Sequence, residues 1–137
     1  MTDKEPLDRS AFTAIRAIDY TVILVRDMDA MRQFYEQVLC IAQLRKLSPN
    51  WIEYRVGSNT LALSRPGLTA TDSPVPTGTA ALQLAFRVAP ADVDRCAAEL
   101  RQQGIELVSP PMDRDFGHRT LFFRDPDGNL LEIYAEI

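Results

Sequence analysis

A chain of 137 residues with a formal charge of −4, its Lys and Arg scattered rather than run together, is one domain by size and can bury about two thirds of its unfolded surface. That charge balance argues against nucleic acid or an anionic membrane surface as the main partner. No window approaches the length of a membrane-spanning helix, and the polar, acidic first ten residues lack the basic start and apolar core of a secretory signal, so a cytoplasmic protein is expected.

In chain order, residues 1–14 are expected to be a flexible N-terminus and 15–137 a single domain. Residues 17–25 read as a strand. Asp27 is placed to cap a helix whose stripe is Met28, Met31, Phe34, Tyr35, Val38 and Leu39, apolar positions at helical spacing. Short strands follow at 42–47, 51–56 and 60–64, separated by the turn clusters Ser48-Pro49-Asn50 and Gly57-Ser58-Asn59. Residues 65–79, rich in Pro, Gly, Thr and Ser, read as a linker.

The same order then restarts with a strand at 80–88. Pro90 suits the first turn of a second helix, Val93, Cys96, Ala97 and Leu100 form its buried stripe, and Gly104 is placed to end it. Strands at 105–108, 119–124 and 130–136 complete a second β-α-β-β-β unit. The last two are hinged on Asp125-Pro126-Asp127-Gly128-Asn129. There Pro126 presets the first turn position, Asp127 suits the second, and Gly128 supplies a positive φ. Tyr20 set against Gln83 matches the two opening strands, which points to an internal duplication: module one at about 15–64, module two at about 80–137. Cys40 and Cys96 fall at or near the inner faces of the two helices, outside any Cys-x-x-Cys pair, and read as buried thiols in a reducing compartment.

One helix for four strands covers one face of each sheet and leaves the other open for a ligand or a partner. The expected fold class is α+β, two tandem βαβββ modules forming curved sheets around a cavity. The open faces close either within the chain or on a second chain, and a homodimer is expected because two-fold pairing is the commonest cover for such surface.

With this element order, the ending FFRDPDGNLLEIY, the stretch IDYTVILVRDMDAMRQFYEQVL and the strand LQLAFRV, the chain resembles the vicinal oxygen chelate superfamily. This is the glyoxalase, bleomycin-resistance and extradiol dioxygenase family, and the resemblance runs from about residue 17 to 137. In its metal-using members the ligands come from the first, fourth, fifth and eighth strands, usually as His or Glu and sometimes as Gln. The resemblance places those positions at Tyr20, Ala62, Gln83 and Glu132. Only Glu132 keeps the usual chemistry. Ala62 has no donor atom, Gln83 is a neutral weak one, and a phenol such as that of Tyr20 coordinates well only once deprotonated. The one histidine, His118, lies outside the set. The expectation is therefore a cavity without a complete chelate and with no metal cofactor; the alternative is a divalent metal such as Zn, Ni, Mn or Fe in an atypical site.

Strand alternation gives the candidate cavity residues: Ile18, Tyr20, Val22 and Leu24 on the first strand; Thr60, Ala62 and Ser64 on the fourth; Ala81, Gln83, Ala85 and Arg87 on the fifth; Leu130, Glu132 and Tyr134 on the eighth. On the third strand Ile52, Tyr54 and Val56 are expected to face the helix, leaving Trp51, Glu53 and Arg55 towards the opening. Trp51, Tyr20 and Tyr134 could stack on a planar group, Glu132 or Glu53 could meet a cationic one, and Ser64, Gln83 and Arg87 supply further polar contacts. A second possibility is that Tyr20, Gln83 and Glu132 satisfy one another as a buried hydrogen-bond cluster. If chemistry occurs, the economical step is proton transfer with Glu132 as base and Tyr20 or His118 as acid.

Two functions follow. One is a small-molecule binder similar to the bleomycin-resistance proteins, sequestering a toxic or antibiotic-like organic ligand. The other is a metal-dependent lyase, isomerase or dioxygenase of glyoxalase type with an unusual ligand set.

Overall fold

The computed structural model describes residues 10–67 and 82–137. A short 3-10 turn, Ala11–Ala14, precedes strand β1 (Tyr20–Leu24), helix α1 (Met28–Gln33) with a π-helical continuation (Phe34–Val38), and strands β2 (Gln43–Ser48), β3 (Trp51–Val56) and β4 (Asn59–Ser64). Module two runs β5 (Gln83–Arg87), α2 (Pro90–Gln102), β6 (Leu107–Asp113), β7 (His118–Arg124) and β8 (Leu130–Glu136). The sheets have the orders β1-β4-β3-β2 and β5-β8-β7-β6, and in each the first strand runs parallel to its neighbour while the rest is antiparallel. The duplication is therefore a duplication of topology. Residues 68–79 of the linker expected at 65–79, residues 1–9, and Ala80 and Ala81 of the strand expected at 80–88 lie outside the described residues.

The helix-side positions are equivalent in the two modules. Ile52 and Leu121, Tyr54 and Phe123, Leu61 and Leu131, and Leu63 and Ile133 hold the same register places and are all buried. With Met28, Met31, Phe34, Val93, Ala97 and Leu100 from the helices they form a single apolar cluster that spans both modules, where burial of each large side chain contributes roughly 1.5–3 kcal/mol.

The turn Asp125-Pro126-Asp127-Gly128-Asn129 does more than close a hairpin. Gly128 has a φ of 90° and donates its N–H to the Asp125 carbonyl at 2.9 Å, as the turn chemistry requires. The buried Asp125 carboxylate accepts from the Asp127 and Asn129 backbone N–H groups at 3.0 Å each, from Asn129 Nδ2 at 2.9 Å, and from the Tyr35 hydroxyl of module one at 2.9 Å. Asp127 Oδ2 accepts the Arg26 backbone N–H at 2.8 Å. Burial first, and the Asp125 charge next, hold the Tyr35 hydroxyl far above its ordinary pKa, so it stays a donor. The turn is thus a clasp that joins the modules just before the first helix, at Arg26, and in its π-helical continuation, at Tyr35.

Four sequence expectations need correction. The first strand begins at Tyr20, and Ile18 precedes it at 89% exposure. Pairing starts at Tyr20 with Thr60, and the turn just before Asn59 leaves earlier residues no strand to join. The first helix changes from α to π winding at Phe34, with Leu39 N–H bonded to the Phe34 carbonyl at 3.0 Å. The wider turn leaves Val38 and Leu39 only half-buried. Cys40 consequently sits past the helix end, exposed and at a φ of 54°, rather than buried; Cys96 is half-buried, and both are free thiols. The sixth strand continues to Asp113 through Pro110 and Pro111, which it tolerates because it is an edge strand whose register shifts between Ser109 and Met112.

Candidate functional site

Each sheet presents its other face to the outside of the shared core. On module one this face carries Tyr20, Val22 and Leu24 of β1, Ala62 and Ser64 of β4, and Trp51 and Glu53 of β3, the last two placed across from Ser64 and Ala62. Tyr20 is 52% exposed and meets Trp51 edge-on with ring centroids 6.1 Å apart. Glu53 is buried and fully engaged. It accepts from Trp51 Nε1 at 2.7 Å and from Arg45 Nε at 3.0 Å. The Trp51 hydrogen bond first, then that from Arg45, hold its carboxyl below the ordinary value, so it is ionised. Ser64 is buried and spends its hydroxyl on the Arg65 carbonyl at 3.0 Å.

Module two presents Gln83, Ala85 and Arg87 of β5, Glu132 and Tyr134 of β8, and Thr120 and Phe122 of β7. The half-buried Glu132 lies between Ala85 and Phe122 in register, and its hydrogen bond is a long one from Gln83 Nε2 at 3.4 Å. His118 stacks on Tyr134 at 4.9 Å and meets Phe116 edge-on at 5.1 Å. The result is an aromatic ladder of Phe116, His118 and Tyr134, with Phe116 72% exposed. Arg87 pairs with Glu136 at 3.1 Å, both groups being largely exposed.

Among the predicted site residues, Tyr20, Trp51, Glu53 and Ser64 come together on one face, and Gln83, Arg87, His118, Glu132 and Tyr134 on the other. The ring contacts and hydrogen bonds of these face residues stay within their own module. Tyr20 and Glu132 are therefore not one buried cluster: Tyr20 and Gln83 are exposed and lie on different modules. Ile52 and Tyr54 face the helix side as expected, and Val56 is half-buried. Arg45, Phe116 and Phe122 are site residues that the sequence reading passed over. Phe122 was within reach, because a hairpin turn at Asp125-Pro126-Asp127-Gly128-Asn129 sets it opposite Glu132. Arg45 was not, since β2 meets β3 through two register shifts.

The four family metal positions, Tyr20, Ala62, Gln83 and Glu132, supply one carboxylate, one neutral amide, one phenol and no atom from Ala62. Among the described residues no group of three or more His, Cys, Asp or Glu side chains is placed to hold a metal ion. This donor set does not fit a chelated transition metal, which takes at least three strong N, O or S donors.

The chain belongs to the glyoxalase/bleomycin resistance protein/dioxygenase superfamily, whose sequence model matches residues 17–133. Virulence protein STM3117 of Salmonella typhimurium is 26% identical over 122 residues, covering 87% of this chain and 83% of that one. Its crystal structure superposes with a TM-score of 0.69 at 26% identity, over 90% of this chain and 98% of that one. A shorter match, 43% identical over 44 residues, links 31% of this chain to 34% of the uncharacterized protein YraH of Bacillus subtilis. The crystal structure of lactoylglutathione lyase from Agrobacterium tumefaciens shares the fold with a TM-score of 0.72 at 23% identity, over 88% of this chain and 94% of that one. No helix among the described residues is long and apolar enough to cross a membrane.

Proposed function

We propose that this member of the superfamily binds a small planar organic molecule between two open sheet faces, without a chelated metal, in the manner of the bleomycin-resistance-like binders. The observation that carries the reading is the composition of those faces. Each offers an aromatic surface beside a carboxylate, Trp51 and Tyr20 with Glu53 on one, Tyr134 and His118 with Glu132 on the other. Aromatic walls stack on a flat ligand, and a carboxylate whose one hydrogen bond among the described residues is long favours a cationic group on it. Glu53 already has its partners, so Glu132 is the carboxylate left to meet the ligand.

A homodimer completes the site in this reading, with one chain's first face opposing the other chain's second. Its support is that both faces lie outside the core of their own chain and expose large apolar groups, Tyr20, Leu24 and Met112 among them. The cell compartment proposed is the cytoplasm.

Trp51 is the only tryptophan of the chain, so its fluorescence reports on the site directly. Titration with proflavine, a planar aromatic cation, in metal-free buffer should quench it saturably, and a Tyr20→Ala, Glu132→Ala double variant should lose the quenching. Strictly linear quenching, identical in the double variant, would sink the reading. Should a substrate be turned over instead, Glu132→Ala must abolish turnover, and activity that survives it excludes Glu132 as the base.

A further inference from the structure

On the helix side, remote from both open faces, the modules do not close completely. A half-open cavity of about 240 Å³ remains between Val38, Leu39 and Ile41 of module one and Val88, Cys96 and Leu100 of module two. The rest of the lining is almost wholly apolar, and Glu99 is its one charged group among the described residues. Two features of the backbone create it. The π-helical turn Phe34–Val38 widens the end of the first helix, and the left-handed Cys40 then turns the chain so that Ile41 re-enters the wall. π-Helical turns are rare and recur at functional sites.

The size of this space decides between packing defect and site. The space is half-open, so solvent reaches it, but its apolar walls supply few of the two to four polar partners that hold an ordered water. An apolar cavity of about 150 Å³ is enough to hold benzene. We propose that this intermodule cavity is a second binding site, for an uncharged apolar molecule of about one ring and a short alkyl chain. It is distinct from the open-face site in location and in chemistry. Its walls come from both modules, so occupancy stabilises their pairing, as the turn clasp does between the β7–β8 turn and the first-helix region.

Cys96 lies in the cavity wall and supplies the readout. Burial first, then the Glu99 and Asp92 carboxylates, hold its thiol above the ordinary value, so alkylation by N-ethylmaleimide is run at about pH 9. In a Cys40→Ser background, with n-butylbenzene as the probe, Cys96 alkylation followed by intact mass should slow at least about fivefold. The melting temperature should rise by a few degrees. Val88→Phe fills the cavity and should remove both effects, with Ile41→Phe as a second filler should Val88→Phe not fold. Unchanged alkylation and melting in the folded protein would overturn the proposal. So would equal effects in the filled variant, or a Cys96 that reacts only on dilution, which would show the cavity to be covered by a second copy.

Discussion

The two modules share a frame and differ on their open faces in a regular way. At equivalent register positions module one has Trp51 opposite Ser64 and Glu53 opposite Ala62, whereas module two has Thr120 opposite Tyr134 and Phe122 opposite Glu132. Each face thus keeps a hydroxyl, an aromatic and a carboxylate, but the carboxylate moves from the third strand to the fourth, and module two carries two aromatics, Phe122 and Tyr134, where module one has Trp51. The core positions beneath stay apolar in both, because a change there opens a void or buries a polar group, while a change on the open face is cheap until a ligand depends on it. The exchange also changes the state of the carboxylates. Glu53 is held by Trp51 and Arg45; Glu132 has one long bond from Gln83. One carboxylate builds its face and the other is left to act.

The largest difference between the modules is in their β3–β4 and β7–β8 turns. Asp125→Ala removes an acceptor shared by four donors, and should lower the unfolding free energy by about 3 kcal/mol in urea titrations. Ser58→Ala in the corresponding turn of module one should change it by less than about 0.5 kcal/mol. Equal losses would break the account of the second turn as a clasp.

The carboxylates come next. Glu132→Ala should weaken proflavine binding about tenfold, equivalent to about 1.4 kcal/mol, with little change in stability. Glu53→Gln should do the reverse, costing about 1 kcal/mol of stability through loss of its charge-assisted hydrogen bonds. A stability loss in the Glu132 variant larger than that in the Glu53 variant would invert the assignment.

The smallest and sharpest effect is in pH. Because its folded-state value is lowered, Glu53 contributes stability that is present above its ordinary value of 4.5 and is lost as pH falls through the lower folded value. Glu53→Gln should therefore lie below the wild type by a constant amount near neutrality, and the two curves should converge below about pH 4. Parallel curves through the acid limb would mean that the Arg45 and Trp51 contacts do not hold the carboxylate in solution.

Much of the frame was legible in the sequence because it is written in local rules. Period-two strands, a capped amphipathic stripe and a Pro-Asp-Gly turn each act over a few residues, and their repetition exposed the duplication. The third-strand prediction that Ile52 and Tyr54 go inward and Glu53 outward needs only alternation. What escaped depends on contacts distant in sequence. The partner of Asp125 is Tyr35, ninety positions away, and the turn signature says nothing of it. The π winding at Phe34 has no sequence rule as strong as a cap, so Cys40 was placed on the wrong side of the chain. The segregation of Tyr20 from Glu132 follows from how the modules pack, which no pattern within either module records.

The central claim is that Tyr20 and Ala62 on one face and Gln83 and Glu132 on the other contact a ligand and do not form a chelate. Metal content by mass spectrometry, on protein dialysed in turn against Zn, Ni, Mn and anaerobic Fe(II) and then desalted, tests it most directly. The account predicts bound metal far below one ion per chain in every case. About one ion per chain, lost in Glu132→Ala, would contradict it.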